Sequence, residues 1–505
     1  MSLLLGIDIG TSSVKAVLYD PDTAGVVAVA QREYPIYKPA PDRAEQDPED
    51  WWNATVEVVR GVTERAGRRD VIAISLCGQM HGFAMLDKQG RSLHPAIVWP
   101  DQRSAAECEE LVGLLGAQRY VSIAGTLPAT GFMAPSLLWL KHHEPALLDQ
   151  IGAVMLPKDY VRLKLTGYLA TDPSDAAATG LFDVSAKNWS QAIIDSAGLP
   201  SAIFPPVLEA QALAGELSGA TAQELGLTGR IPVVVGSADQ PAQTMGCGIA
   251  APGKAAVSIA SGGTVVTPLV PTGSTIPTDP RLHVFNHAIP GMWYILGAIL
   301  SAGLSLRWLR NVVGLEGFGK SAYERFSAEA AAVAPGAQGL IFLPYLTGER
   351  TPYMDPKARG GFIGLSAYHE QGHLARAVME GVAFALRSAL EISLELGGQV
   401  DTVIATGGGV ESAVWRQILA DVLALPMQRS LLTAQAGVGA ALLAGVGTGI
   451  YSTFEEAAQE TAQYGEVTEP VRDRQALYDE LYAEFKALYP HLRDDFHTLT
   501  KISNE

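Results

Sequence analysis

The chain has 505 residues, of which 48% are hydrophobic and 18% charged, enough apolar material for two or more large globular domains. Its net charge of −17, from 36 Lys and Arg residues against 53 Asp and Glu residues, argues against a nucleic-acid partner and against an anionic-membrane partner. The three cysteines show no metal-binding spacing and the first residues lack the basic segment of a signal peptide, so we expect a cytoplasmic protein with reduced thiols.

The first predicted element is a β-hairpin near the N-terminus. Two apolar strands, residues 3–9 and 14–20, flank a small hydroxyl-rich turn with the sequence Gly-Thr-Ser-Ser at residues 10–13. Backbone N–H groups and hydroxyls of such a turn can bind phosphate oxygens, while Asp8 is suited to hold a hydrated Mg²⁺ and Lys15 to add a positive charge. An ordinary hairpin with a polar turn explains the same residues equally well.

Two later strands end in polar or aromatic residues. Residues 71–76 form an apolar strand that runs into Gly-Gln-Met-His-Gly at residues 78–82, and residues 96–99 form another strand that ends at Trp99. A single histidine such as His81 is most often a loop residue whose hydrogen bonds are satisfied. This segment alone therefore does not establish a site.

The middle of the chain carries an isolated carboxylate at the end of a buried strand. Residues 232–235 are apolar and rich in β-branched side chains, and residues 236–238 permit a tight turn before Asp239 and Gln240. Folds of the α/β class place ligands at the carboxyl ends of such strands, which makes Asp239 a candidate functional residue. A helix N-cap is the structural alternative for Asp239.

The second half of the chain repeats the design of the first. Residues 254–260 and 264–267 are predicted strands around a small turn that contains Ser261 and two glycines. We interpret this repeat as an internal duplication of two α/β halves that meet at a central cleft. The corresponding domains are expected at residues 1–248 and 249–505.

A third small turn, residues 406–409, follows a predicted strand and precedes an amphipathic helix predicted over residues 410–424. Glycines before a helix N-terminus permit the close approach of a nucleotide. The uncharged stretch 430–454 is dominated by Gly and Ala, so it predicts a buried helix packed on a sheet and not a membrane span. The tail from residue 454 is predicted to be helical.

Residues 314–321 match the P-loop pattern GxxxxGK[ST] letter for letter. A P-loop requires a buried strand before the motif, whereas residues 304–310 carry charges at helical spacing and predict an amphipathic helix. We therefore predict a solvent-exposed loop between two helices at this position.

Together, the three small turns and Asp239 resemble the sugar kinases of the FGGY family, within the actin/hexokinase/Hsp70 superfamily. The resemblance extends over nearly the whole chain and includes the segments at residues 45–52, 78–82, 156–160, 174–177 and 348–352. Glycerol kinases of the family carry an Arg-Glu pair where Met80 and His81 stand, so glycerol is not the expected substrate. The resemblance implies an α/β, two-domain fold of the actin-like, ribonuclease-H-like type with a central cleft.

The resemblance also implies an activity, the ATP-dependent phosphorylation of D-xylulose to D-xylulose 5-phosphate, because residues 78–82 are similar to the motif of the D-xylulose-phosphorylating branch. Asp239 is implied as the general base for in-line attack of the sugar hydroxyl on the γ-phosphate, and Asp8 as the residue that positions Mg²⁺. The implied sugar site comprises Met80, His81, Trp99, Asp239 and Gln240. The implied nucleotide site comprises Thr11, Ser12, Lys15, Ser261, Gly262, Gly263, Gly408, Gly409 and Ser412.

Two turns differ from the usual family patterns. Residues 236–240 read Gly-Ser-Ala-Asp-Gln where the relatives commonly carry Gly-Gly-Gly-Asp-Asn, and residues 260–263 read Ala-Ser-Gly-Gly where Gly-Thr-Ser-Gly is usual. One alternative is therefore a kinase for a polyol or for another ketopentose such as ribulose. The other is a sugar sensor without catalysis. The expected partners are a ketopentose and ATP; the oligomeric state stays open, with a homodimer as one option.

Overall fold

The computed structural model describes residues 2–273 and 275–504. They form two compact units whose segments alternate along the chain. Unit 1 comprises the described residues of Met1–Ala251, Val270–Tyr294 and Leu432–Gln463. Unit 2 comprises the described residues of Pro252–Leu269, Ile295–Leu431 and Tyr464–Glu505. The domain division at residues 1–248 and 249–505 stays a prediction, because compact units describe packing and not domain function.

The strands are, in chain order, β1 (Leu3–Ile9), β2 (Ser13–Asp20), β3 (Gly25–Glu33), β4 (Glu45–Gln46), β5 (Val71–Gly78), β6 (Phe83–Leu86), β7 (Ser92–Ile97), β8 (Ala153–Met155), β9 (Phe182–Asp183), β10 (Asn188–Trp189), β11 (Leu213–Glu216), β12 (Pro232–Val234), β13 (Ser237–Ala238), β14 (Gly253–Ile259), β15 (Gly263–Leu269), β16 (His283–Asn286), β17 (Trp293–Ile299), β18 (Ile341–Leu343), β19 (Gly361–Ile363), β20 (Val400–Thr406), β21 (Met427–Ser430) and β22 (Tyr464–Thr468).

The α-helices are α1 (Pro48–Ala66), α2 (Ala105–Leu115), α3 (Ala117–Ala124), α4 (Met133–His143), α5 (Pro145–Leu148), α6 (Pro157–Thr166), α7 (Pro173–Ala177), α8 (Gln191–Ala197), α9 (Gly219–Leu225), α10 (Asp239–Gly246), α11 (Gly303–Val312), α12 (Lys320–Ala332), α13 (Gln371–Glu395), α14 (Ala413–Leu423), α15 (Gln435–Gly447), α16 (Phe454–Thr461) and α17 (Gln475–Asn504). Short 3₁₀ helices are found at Ser201–Ile203, Glu316–Phe318, Ala337–Gly339, Gly408–Glu411 and Arg472–Arg474.

The main sheet of unit 1 has the strand order β11-β12-β5-β1-β2-β3. Strands β1 and β2 form the predicted antiparallel hairpin, and β5 runs parallel to both β1 and β12. Strand β1 is apolar on both faces because both are covered: Leu5 packs in the core that contains Trp51 of α1, and Leu4 packs in the core that contains Leu442 of α15. The hairpin prediction is confirmed.

Helix α15 packs against β1 and β5 and confirms the buried helix predicted within residues 430–454. The contact needs a glycine at position 6, since a Cβ there would come within 1.9 Å of the carbonyl oxygen of Gly437. None of the described helices has the length and apolar composition that a membrane span requires.

A second sheet of unit 1, with the order β4-β7-β6-β8, lies against a separate hydrophobic core. Strand β6 starts at Phe83, directly after the loop that contains Met80 and His81. Gly82 allows this loop to approach β7, because a Cβ at that position would lie 2.6 Å from the carbonyl oxygen of Ile97. The loop therefore starts at the end of β5 in the main sheet and ends at β6 in the second sheet.

The main sheet of unit 2 repeats the arrangement of the first. Strands β17, β15, β14, β20, β21 and β22 follow one another in that order. Strand β14 is antiparallel to β15 and parallel to β20, as β1 is antiparallel to β2 and parallel to β5. The next strand, β21, is parallel to β20 and antiparallel to β22, which matches the pairing of β12 with β5 and β11. The structure confirms the predicted internal duplication of strand pairing.

Two predicted helical segments have different bounds in the structure. The helix expected over residues 410–424 begins as the 3₁₀ helix Gly408–Glu411, and α14 starts only at Ala413, because the Ser412 side chain caps α14 by accepting a hydrogen bond from the Trp415 backbone N–H. Within α14, Trp415 is buried and Val414 is only half-buried. The tail predicted to be helical contains α16, then strand β22, then α17.

The segment that matches the P-loop pattern connects α11 to α12 and contains the 3₁₀ helix Glu316–Phe318. The element that precedes it is helix α11 and not a strand. The prediction of a loop between two helices is confirmed, and the segment is not a P-loop.

Candidate active site

Three adjacent backbone segments of unit 1 bring two carboxylates to the carboxyl end of β5. Asp8 on β1 lies opposite Cys77 on β5, and Ser237 on β13 pairs with Cys77 from the other side. Helix α10 then begins at Asp239. Asp8 and Asp239 therefore flank the same strand end, which is the position where α/β folds bind ligands.

The turn before Asp239 depends on one glycine. Gly236 has a φ of 85°, and a Cβ on it would lie 2.1 Å from the carbonyl oxygen of Leu76. Ala238 occupies the N-cap position of α10, and Asp239 is the first helical residue. The helix-cap alternative for Asp239 is therefore wrong.

The Asp239 carboxyl group is held in an environment that favours its protonated form. Burial raises the pKa of Asp239 to about 7, the nearby Asp8 carboxylate adds to the rise, and hydrogen bonds from the backbone and side chain of Gln240 oppose it. The Oδ1 atom of Asp239 is buried and has no hydrogen-bond partner within the described part of the chain. A carboxyl group with a pKa near neutrality and an unoccupied buried oxygen can accept a proton from a substrate hydroxyl.

Asp8 shares this environment. Burial raises the pKa of Asp8, while the charge of Lys15 and a hydrogen bond from Cys77 lower it. Lys15 is the direct cross-strand neighbour of Asp8 in the β1–β2 hairpin. Burial and the two carboxylates, Asp8 before Asp239, together raise the pKa of the Cys77 thiol well above its ordinary value. Cys77 is therefore a neutral thiol beside the two acids and not a nucleophile.

The first predicted phosphate turn is held by side chains from other elements. Trp99 Nε1–H donates to the hydroxyl oxygen of Thr11 at 2.8 Å, and the side-chain amide of Gln46 donates to the Thr11 carbonyl at 2.6 Å. The Tyr34 hydroxyl donates to the carbonyl of Gly10. Ser12, at the tip of the turn, is exposed. The structure thus brings Trp99 to the turn, and its predicted contact with a sugar stays a prediction.

Met80 and His81 are fixed by contacts that the sequence did not reveal. His81 has a φ of 76°, its ring N–H at Nδ1 donates to the carbonyl of Ala178 at 2.7 Å, and the ring stacks on Phe132 at 3.9 Å between centroids. The buried sulfur of Met80 accepts a hydrogen bond from the Tyr294 hydroxyl at 3.8 Å. These contacts fit a satisfied loop histidine, and the sugar-binding role of both residues stays a prediction.

Tyr294 lies beside the candidate site, and no sequence signal pointed to it. Burial raises the pKa of Tyr294, and the carboxylates of Asp239, Asp175 and Asp172 add to the rise. The neutral hydroxyl therefore lies near Asp239 as well as Met80. A sequence motif could not have found it, because Tyr294 is more than 50 positions from Asp239 in the chain.

Unit 2 contains a cavity of about 750 Å³ that collects four of the predicted nucleotide residues: Ser261, Gly408, Gly409 and Ser412. Leu306, Met379 and Trp415 supply apolar lining. A cavity of this size, apolar with a few polar groups, is typical of a site for a nucleotide-sized ligand. Gly262 and Gly263 belong to the same turn as Ser261 but are not among the residues that line the cavity.

The glycines of the third turn serve two different needs. A Cβ on Gly409 would lie 2.3 Å from Cγ2 of Ile259, so this glycine permits close packing within unit 2. A Cβ on Gly408 would meet no atom within 4 Å, so only Gly408 leaves free space beside the backbone for a ligand. Ser412 pairs its hydroxyl with that of Ser327 at 2.9 Å.

Two cationic side chains that line the same cavity were also missed. Arg307 on α11 and Lys320 at the start of α12 are both exposed at its surface. Lys320 is the lysine of the rejected P-loop match. The motif failed as a P-loop, yet the residue lies where a cation can attract an anionic ligand.

Models of the FGGY family of carbohydrate kinases match both halves of the sequence: the N-terminal domain model over residues 3–246 and the C-terminal domain model over residues 259–448. The chain belongs to the FGGY family of carbohydrate kinases. This FGGY kinase is therefore a phosphotransferase that acts on a sugar, and its family implies the use of ATP.

Relatives of this FGGY kinase extend over its whole length. The xylulose kinase of Lactococcus lactis is 35% identical over 100% of both chains, and that of Escherichia coli is 38% identical over 83% of this chain and 84% of the relative. The crystal structure of xylulose kinase from Rhodospirillum rubrum has a TM-score of 0.91 at 32% identity and covers 98% of this chain and 100% of that chain. The predicted two-domain, actin-like α/β fold is confirmed.

We predict that Asp239→Asn stabilises the ligand-free FGGY kinase at pH 8 but not at pH 4. The folded-state pKa of about 7 exceeds the ordinary value of 3.8, so between these values the unfolded state ionises while the folded state stays protonated. The free energy of unfolding of the wild type therefore falls by roughly 2–4 kcal/mol as the pH rises from 4 to 7. Urea unfolding at the two pH values measures the difference.

Asp101→Asn is the matched control for removal of a buried carboxylate. Asp101 is fully buried and pairs with Arg103 at 2.8 Å, so its replacement lowers the free energy of unfolding at pH 8. If Asp239→Asn raised the free energy of unfolding equally at both pH values, ionisation of Asp239 would carry no folding cost.

Proposed function

We propose that this FGGY kinase transfers the γ-phosphoryl group of ATP to D-xylulose and forms D-xylulose 5-phosphate. The observation that carries the chemistry is Asp239: a carboxyl group with a pKa of about 7 and a buried, unpartnered Oδ1, beside a second acid at the same strand end. The observation that favours D-xylulose is the full-length similarity to proteins named as xylulose kinases.

Asp239 acts as the general base in this proposal. Its carboxylate takes the proton of the terminal hydroxyl, O5, as that oxygen attacks the γ-phosphorus and the bond between the γ-phosphorus and the leaving oxygen of ADP breaks. General-base catalysis of this kind contributes a factor of about 10²–10⁴. Above pH 7 the Asp239 carboxylate is the majority form of the ligand-free protein, so the base is available at neutral pH.

Asp8 is proposed to hold Mg²⁺ in this site. Asp8 and Asp239 repel each other, which is the electrostatic setting that a divalent cation relieves. The described residues contain no group of three His, Cys, Asp or Glu side chains arranged to hold a metal ion alone. One or two carboxylates suit Mg²⁺, which keeps several waters and completes its coordination with substrate phosphates. The bound ion would neutralise charge on the transferred phosphoryl group.

The remaining predicted residues divide between sugar and nucleotide. We assign Met80, His81, Gln240 and Trp99 to the sugar in unit 1. The nucleotide is assigned to the hairpin residues Thr11, Ser12 and Lys15 of unit 1, and in unit 2 to the residues Ser261, Gly262, Gly263, Gly408, Gly409 and Ser412. The cavity of about 750 Å³ in unit 2 supports this assignment for its four lining members.

A kinase for another ketopentose is the second candidate, and Gln240 favours it. Gln240 stands where the xylulose branch commonly carries Asn, and its longer side chain hydrogen-bonds to the Asp239 carboxylate. An amide engaged with the base presents a different surface to the sugar. The sensor alternative is disfavoured, because a binding protein has no need for a buried acid with a pKa near 7.

The proposed activity predicts that D-xylulose gives the highest kcat/KM in a panel with D-ribulose, L-ribulose, xylitol and ribitol. A coupled assay of ADP release measures each sugar. Asp239→Asn lowers kcat by about 10²–10⁴-fold with little change in the dissociation constant of the sugar. A faster reaction with ribulose would establish the second candidate, and sugar binding without ADP release would establish the sensor.

We also predict that Lys320→Ala raises KM for ATP about 3–10-fold and leaves KM for the sugar unchanged, because the cation that lines the cavity attracts the polyanion. Steady-state kinetics at low and at high salt provide the measurement, and salt should reduce the effect. Lys357→Ala, an exposed lysine of unit 2 outside the cavity lining, is the matched control. An unchanged KM for ATP would remove Lys320 from the nucleotide site.

A further inference from the structure

A cluster of five ionisable side chains is fully buried in unit 1, and the proposed chemistry does not use it. The Lys158 cluster consists of Lys158, Asp159 and Arg162 on α6, and Asp172 and Asp175 at α7. The Lys158 ammonium lies 2.5 Å from Asp159, 3.0 Å from Asp172 and 3.3 Å from Asp175, and all of these side chains have no solvent exposure. Arg162 also pairs with Asp159, at 2.5 Å.

Such a cluster is costly to bury, so its position in the fold is informative. Removing charges from water costs several kcal/mol per ion, and the mutual attraction offsets this only when the geometry is good. Replacement by apolar residues would often be neutral or stabilising. A buried ionic cluster is therefore weak evidence for stability, and its role has to be read from the contacts that it makes.

The charges of the cluster balance when one acid is protonated. Burial raises the pKa of Asp175 well above its ordinary value; Lys158 opposes the rise, and the neighbouring acids Asp159 and Asp172 add to it. With Asp175 neutral, two cations face two carboxylates. The cluster can then remain buried without a net charge.

Two hydrogen bonds connect the Lys158 cluster to the chain segment that precedes Asp239. The Arg162 guanidinium donates to the carbonyl of Val235 at 2.9 Å. The Ser174 hydroxyl donates to Asp172 at 2.5 Å and accepts from the backbone N–H of Ala238 at 3.0 Å. The cluster thus binds one backbone carbonyl before the Gly236 turn and the last backbone N–H before Asp239.

The cluster also reaches the end of β5. A Cβ on Gly78 would lie 3.1 Å from the Cβ of Lys158, so α6 approaches this strand end closely. Gly78 is in turn the pairing partner of Ala238. The segment from Val235 to Ala238 is therefore held between the strand end and the cluster.

We propose that the Lys158 cluster, acting through Ser174 and Arg162, positions the backbone that carries Asp239 for proton transfer. Ser174 and Arg162 are positioning residues in this inference and do not touch the substrate. The inference rests on the proposed role of Asp239 as the base. A base displaced by about 1 Å from its productive geometry loses on the order of 10²-fold in rate, whereas binding of sugar and ATP need not change.

Ser174→Ala tests the proposal, because it removes the acceptor of the Ala238 N–H and changes no charge. We expect kcat to fall about 10–100-fold while KM for the sugar and for ATP stays within about twofold. Ser75→Ala is the matched control: Ser75 is a fully buried serine of β5 whose hydroxyl has no hydrogen-bond partner among the described residues. It should keep the wild-type kcat.

Arg162→Lys provides a second test if Ser174→Ala folds poorly in thermal unfolding. The lysine keeps the positive charge but cannot reproduce the fork that binds Asp159 and the carbonyls of Val235 and Ala170 together. A lower kcat with unchanged KM values supports the proposal. The proposal is overturned if both variants have a kcat within twofold of the kcat of Ser75→Ala, or if only KM rises.

The design separates this inference from the proposed function. All variants are assayed with the sugar that the wild type phosphorylates fastest, and Asp239→Asn is assayed beside them. Full activity of Asp239→Asn would refute the base assignment and the positioning inference with it. Loss of activity in Asp239→Asn together with wild-type kcat in Ser174→Ala and Arg162→Lys would refute the positioning inference alone.

Discussion

The chemistry proposed for unit 1 depends on two half-buried acids that the fold places at one strand end. Asp8 and Asp239 flank β5, and the pKa of Asp239 rises to about 7 because of burial and of the Asp8 carboxylate. This arrangement costs stability, and a fold tolerates it where a function needs it. The hairpin, the Gly236 turn and helix α10 all have the role of bringing these acids to the same place.

The two units place different side chains at the same position of a shared strand arrangement. In β1 the residue before the last is Asp8, opposite Cys77 of β5; in β14 the corresponding residue is Ser258, opposite Thr406 of β20. The hairpin of unit 1 therefore presents a carboxylate at this position, and the hairpin of unit 2 presents hydroxyl groups.

Much of the site could be predicted from the sequence because its parts are local. Hairpins, glycine turns and a lone acid after an apolar strand leave signals within about ten residues, and these signals made Asp8, Asp239, Ser261 and Gly408 candidates. The resemblance to the FGGY family then joined these local signals into one fold.

The other features of the fold and of the candidate site could not be predicted, because they depend on contacts between distant segments. Gln46 and Tyr34 support the Thr11 turn from other elements, and Tyr294 reaches Met80 across more than 200 residues. The start of α14 was misplaced because the cap at Ser412 competes with helical periodicity. The alternation of the two units along the chain leaves no compositional signal at all.

The same limit applies to the Lys158 cluster. Its motif was visible as part of the family resemblance, but the sequence did not show that its cations and acids are buried together. The link through Ser174 to Ala238 joins residues 64 positions apart, and only the folded chain reveals it. The proposed placement of Asp239 thus rests on contacts between distant segments that no local sequence signal shows.

The most direct test of this account is the titration of the Asp239 carboxyl group in the ligand-free protein. Carboxyl-labelled ¹³C-aspartate and comparison with Asp239→Asn assign its NMR signal. The account predicts a midpoint near pH 7 in the wild type and a lower midpoint in Asp8→Asn, because that substitution removes the neighbouring charge. A midpoint near the ordinary value of 3.8, unchanged by Asp8→Asn, would contradict it.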